Sequence, residues 1–166
     1  MTEGFTHIDE SGAARMVDVS GKEVTARSAT ATGRVLVSEE VVRLLRVGGV
    51  PKGDAIAVAR IAGIQAAKRT PDLVPLCHPI AVHGVDVTLQ VDDDAVAISA
   101  TVRTADRTGV EMEALTCVAV AGLALIDMVK AVDPGATITD VRVEHKSGGS
   151  SGEWRRTGGP SEASAP

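Results

Sequence analysis

Between Gly109 and Val132 the chain reads GVEMEALTCVAVAGLALIDMVKAV, and the 12 residues from Leu115 to Ile126 carry no charge. Only Thr116 interrupts the apolar and small side chains, so a helix through this stretch has to be buried on nearly every side instead of along one stripe. An uncharged centre of 12 residues is too short for a membrane span, which takes about 20. Charges return abruptly at both ends, with Glu111 and Glu113 before the centre and Asp127 and Lys130 after it. At about 1.5 Å and about 100° per residue, Glu113 and Asp127 lie about 40° apart around the helix and about 21 Å apart along it. One small site cannot use both ends of one copy. Asp127 and Lys130, at i and i+3, share a face. They are either an ion pair closing a core helix or a carboxylate whose proton affinity is tuned by an ammonium.

The rest of the core has to be aliphatic, because the 166 residues include one Phe, one Trp and no Tyr. Base stacking on aromatic platforms is therefore closed to this chain, and a net charge of -5 with no clustered basic surface argues equally against nucleic acid. The length suits one domain with a real core. Cys77 and Cys117 make no disulfide framework. The opening MTEGFTHIDESG has neither a basic start nor an apolar run, which points to the cytoplasm.

Taken in order, residues 1–21 lack periodicity and read as an irregular, poorly ordered arm. Lys22 to Val37, rich in Thr and Val, suits a strand containing Arg27. Ser38 then caps a short helix with Glu39 and Glu40 in its first turn, running to Gly48-Gly49. Asp54 caps a second helix to about Ala66, whose Ala55, Ala59, Ala62, Gly63 and Ala66 permit close approach of another helix. PDLVPLCHPI follows as a loop, in which Pro75 and Pro79 bracket Leu76, Cys77 and His78 and fix the backbone around one thiol and one imidazole. Residues 82–92 and 95–104 alternate as two strands of a hairpin turned at Asp92-Asp93-Asp94. After the long helix, Asp133-Pro134-Gly135 ends it, and Ile138 to Glu144 gives a last strand with Thr139, Val141 and Val143 on one face. From residue 148 a Gly/Ser-rich flexible tail begins. The order β-α-α-β-β-α-β predicts an α+β, ferredoxin-like split βαβ domain over residues 22–147, an antiparallel four-stranded sheet with helices on one face. A helix apolar on all sides has one face too many for such a layer. Ala119, Ala121, Gly122 and Ala124 are the residues expected to let a second copy approach.

Metal-ligand spacings are missing: Cys77 and His78 adjoin, while His7, His83 and His145 are scattered, so no metal or other cofactor is expected. Isolated basic residues stand at element ends: Lys52, Lys68, Arg69, Lys130 and Lys146. Lys146 opens KSGGSSG, which reads either as amide donors and hydroxyls beside a fixed cation, an anion-binding loop, or as a solvated linker.

HIDESGAARMVDVSGK, PKGD, PLCHPI, GVEMEALT, DMVKAVD and KSGGSSG occur together and in this order. Over about residues 5–154 the chain thereby resembles the cyclic pyranopterin monophosphate synthases of molybdenum cofactor biosynthesis. The resemblance implies a ferredoxin-like subunit assembled as dimers into a hexamer, with active sites between subunits. It implies conversion of (8S)-3',8-cyclo-7,8-dihydroguanosine 5'-triphosphate to the cyclic pyranopterin with loss of diphosphate. Carried over by motif, the acid/base aspartate is Asp127 with Lys130 one turn on. Lys52 and Lys146 match essential lysines, and Lys68 lies in the corresponding AAKRT segment. Leu76, Cys77, His78, Met112 and Glu113 match pterin contacts. Arg27, Lys52 and Lys146 are expected to face the triphosphate. Ser150 stands where many members carry a second basic residue. The competing class is a non-catalytic ferredoxin-like domain that senses a small ligand, which predicts binding without turnover.

Overall fold

The computed structural model describes Ile8 and residues 11–157; the outermost parts of the expected arm and tail, residues 1–7, 9–10 and 158–166, lie outside the described residues. Nine elements follow: β1 (Thr25–Leu36), α1 (Glu39–Val47), α2 (Ala55–Ala67), α3 (Thr70–Leu73), β2 (Gly84–Val91), β3 (Ala95–Asp106), α4 (Glu111–Val129), β4 (Thr137–Ser147) and β5 (Trp154–Arg155). The strands lie in the order β2-β3-β1-β4-β5, each neighbour antiparallel. The first four form the split βαβ layer, with β1 and β3 central. The fifth is a two-residue addition, Trp154 and Arg155 pairing with Lys146 and His145, so the chain beyond Ser147 returns along β4.

Local chemistry accounts for the helix boundaries. The Ser38 hydroxyl accepts from Val41 N at the start of α1, and Gly48 ends it in the left-handed conformation. Asp54 does the same for α2, accepting from Ala57 N at 2.9 Å. On β1 the alternate residues Ala29, Ala31 and Val35 are fully buried. Their small side chains let α4 sit close on the sheet. A Cβ at Gly33 would stand 2.7 Å from Val118 Cγ1, so glycine is required where β1 passes under the helix. The other side of the sheet is polar: Thr30 and Thr101 hydroxyls meet at 2.8 Å, Ser28 and Ser147 at 2.9 Å.

α4 is long and apolar enough, by length and composition, to cross a membrane, but its buried residues Ala114, Cys117, Val118, Ala121, Leu125 and Val129 join the central core. α2 covers a second side of it. A Cβ at Gly63 would lie 2.9 Å from Cys117 O and 3.1 Å from Ala121 Cβ, while Gly122 faces Ile138 and Val35. Ala121 and Gly122, expected at a contact with a second copy, are thus used within the chain. What stays bare is a narrower strip, with Leu123 61% exposed and Ile61 of α2 66% exposed.

Two further expectations are corrected. PDLVPLCHPI is not loop throughout, because Thr70–Leu73 closes one helical turn with Pro71 near its start, where a missing N–H costs no hydrogen bond. In β4 the even alternation fails. Register shifts against β1 occur between Thr30 and Ala31 and between Thr32 and Arg34, and Asp140 takes a positive φ of 55°. These bulges put Val141 against Gly33 on the helix side, whereas Thr139, paired with Arg34, shares the open side.

Candidate active site

The predicted site residues gather at the two ends of α4. At its C-terminal end Asp127 receives an ammonium on each carboxylate oxygen: Lys130 Nζ lies 2.7 Å from Oδ1 and Lys52 Nζ 3.0 Å from Oδ2. Lys52 also donates to the Asp127 carbonyl at 2.8 Å, satisfying one of the open acceptors at the helix end. Hydrogen bonding to Lys130 and then to Lys52 holds the Asp127 carboxyl below the usual carboxylate range. The group is more than half exposed, so it is an ionised carboxylate reachable from solvent. The turn before α2 that carries Lys52 depends on Gly53, whose φ of 102° suits glycine alone.

Glu113, in the first turns of the same helix, is in the opposite state. It is 3% exposed, and burial, with the charge of Glu111 adding to it, raises its carboxyl to about 7. The Cys77 thiol is raised by burial, with the charge of Glu113 adding to it. Cys117, one turn beyond Glu113, is buried and raised to about 12, an inert thiol. His78 Nε2 lies 2.6 Å from the carbonyl of Val17 in the N-terminal arm. Leu76 and Met112 keep exposed surface beside this group. Since Lys52 precedes α2 and Gly63 faces Cys117, α2 runs antiparallel to α4 and delivers Lys68, its C-cap, level with the N-terminal turns of α4.

Beside the same end lies a polar cavity of about 190 Å³, lined by Lys22, Arg27, Arg107, Lys146, Glu111 and the Ser147–Ser151 loop. Lys146 Nζ pairs with Glu111 at 3.0 Å. Arg27 is aimed by two carbonyls, Nε donating to Asp106 O at 3.0 Å and Nη2 to Arg107 O at 3.2 Å. Gly148 and Gly149 have φ of 93° and 72°, and side chains there would collide with Ala26 O and the Arg27 guanidinium. Two glycines let the loop close over the arginine. Four cations face one carboxylate here, which suits a polyanion. Sequence reasoning missed Lys22, although it closes the motif HIDESGAARMVDVSGK, and Arg107, which no motif marks; Ser150, the position without a second basic residue, lines the cavity they share.

The family model of MoaC matches residues 16–149. The chain belongs to the MoaC family. Over 153 residues it is 73% identical to the cyclic pyranopterin monophosphate synthase of Streptomyces coelicolor, covering 92% of this chain and 90% of that protein. It is 70% identical over 155 residues to the synthase of the same name from Nocardioides sp., covering 92% and 95%. Identity to cyclic pyranopterin monophosphate synthase 2 of Mycobacterium tuberculosis is 60% over 152 residues, covering 92% and 91%.

A larger groove, about 940 Å³, crosses the open side of the sheet between Arg34, Thr88, Arg142 and Arg155. None of the MoaC-motif residues above lines it. Among the described residues no group of three or more His, Cys, Asp and Glu side chains is placed to hold a metal ion.

Proposed function

We propose that this chain is a cyclic pyranopterin monophosphate synthase, a lyase that converts (8S)-3',8-cyclo-7,8-dihydroguanosine 5'-triphosphate to cyclic pyranopterin monophosphate and diphosphate. The observation that carries the reading is the division of labour along α4: an ionised, two-ammonium carboxylate at one end and a four-cation cavity beside a near-neutral carboxyl at the other. Rearranging a purine-derived ring and closing a cyclic phosphate needs proton transfers at several heteroatoms, and diphosphate must leave with its charge balanced.

In this reading Asp127 takes and returns protons, and Lys130 and Lys52 keep it ionised between transfers. Each ammonium can also hand on a proton, since each is within hydrogen-bond distance of the carboxylate. Arg27 and Lys146, joined by Lys22 and Arg107, hold the triphosphate and stabilise the departing diphosphate. His78 and Glu113 hydrogen-bond the guanine-derived edge, with Leu76, Cys77 and Met112 around it and Lys68 nearby. Because the two ends of α4 are about 21 Å apart, one copy supplies the Asp127 group and another the Glu113 and Lys146 groups. The working unit is a dimer, built further into a hexamer, soluble and cytoplasmic. The half-bare strip of Leu123 and Ile61 between the two groups supports an association along these helices.

The test is incubation with the cyclic dihydroguanosine triphosphate while diphosphate and pterin product are measured. Asp127→Ala is expected to fold and to lose activity by about 10² to 10⁴-fold. Diphosphate release by that variant at the wild-type rate contradicts the assignment, and binding of the triphosphate without turnover by the wild-type chain makes it a sensor.

A further inference from the structure

Among the described residues, His78 is held by backbone of the N-terminal arm and not by a neighbouring side chain. The arm reaches the ring at Val17, and three contacts fix the peptide that does so. Asp18 Oδ1 accepts from Ser20 N at 2.8 Å, Lys22 N donates to Val19 O at 3.0 Å, and Arg107 Nε donates to Lys22 O at 2.9 Å. Val17 and Val19 are half-buried while their neighbours are exposed, so the strand of arm is seated by alternate side chains. On the other side, His78 follows a turn closed by Cys77 N and Val74 O at 3.0 Å and precedes Pro79, which limits its backbone.

A carbonyl oxygen only accepts. The 2.6 Å contact therefore requires a hydrogen on Nε2, and among the described residues no other hydrogen bond to the ring occurs. We propose that the N-terminal arm is a positioning element of the site: the Val17 carbonyl fixes His78 as the tautomer protonated on Nε2, so that Nδ1 is offered to the substrate as an acceptor. The substrate group it meets is then a donor, an N–H or O–H of the guanine-derived ring system. This selects one orientation of that ring and gives the imidazole a place to receive a proton. The role in substrate binding rests on the reaction proposed above; the tautomer does not.

The experiment has two parts, both on the full chain. Ring-nitrogen NMR of His78 in ¹⁵N-labelled protein, recorded across a pH series, reads the tautomer of the neutral ring directly. The expected spectrum has a protonated Nε2 and an unprotonated Nδ1, and Val17→Gly/Val19→Gly, which unseats the arm, converts it to an averaged pair. Protonation at Nδ1, or averaging already in the wild type, overturns the proposal. The second part compares His78→Asn, whose side-chain oxygen can stand at the Nδ1 position as an acceptor, with His78→Gln, whose amide nitrogen reaches the Nε2 position and leaves no acceptor at Nδ1. KM for the cyclic triphosphate is expected within about threefold of wild type for the first and raised about tenfold or more for the second. Equal KM values overturn the proposal. A wild-type chain that releases no diphosphate removes the proposed reaction, and the NMR result still decides the tautomer.

Discussion

Asp127 and Glu113 belong to one helix and have opposite surroundings, the first between two ammonium groups in solvent, the second buried beside another carboxylate. Their titration therefore has opposite consequences. Raised to about 7 from an ordinary 4.5, Glu113 keeps its proton in the folded chain at pH values where the unfolded chain has lost it. Its contribution to stability is complete below about 4.5 and declines as pH rises toward about 7. Thermal denaturation of Glu113→Gln across that range is expected to show a shallower loss than the wild type; parallel curves contradict the buried, neutral carboxyl. The two states were not visible in the sequence, where both residues stand as charges at the ends of an apolar run. What separates them is burial, Glu113 covered and Asp127 in solvent, and no short window of sequence shows which end of the helix the rest of the chain covers.

At the scale of elements, caps and alternation were legible because each is local. Ser38 and Asp54 start their helices as their side chains dictate, and β3 buries Val96, Ile98, Ala100 and Val102 in step. The cation-lined cavity was only half legible. Arg27 and Arg107 meet because β1 and β3 pair with Thr25 opposite Asp106, a register no short window contains. The bulges of β4 were hidden for a related reason, since Asp140 adopts its positive φ without being a glycine. Helix contact is the element-scale test. Gly63 gives up about 1 kcal/mol of helix propensity relative to alanine, yet a side chain there meets the Cys117 carbonyl, backbone that cannot rotate away. Gly63→Val is expected to lose about 2 to 3 kcal/mol in denaturant unfolding. A variant as stable as the wild type contradicts the close approach of α2 and α4.

For the whole molecule the fold class followed from element order, while the fate of the apolar helix did not. α2 covers a side of α4 that composition alone assigned to another copy, which leaves the strip around Leu123 and Ile61 bare, the surface that the proposed dimer would use. Activity per subunit is expected to fall on dilution in step with loss of the dimer by sedimentation. Full turnover from a stable monomer contradicts it. The more direct measurement uses two inactive chains, one Asp127→Asn and one Lys146→Ala, refolded together. If each site joins the C-terminal end of one α4 to the N-terminal end of another, a mixed dimer regains one intact site of its two. Random pairing then gives about one quarter of wild-type diphosphate release per subunit, from two preparations with almost none. A mixture no more active than its components contradicts a site shared between copies.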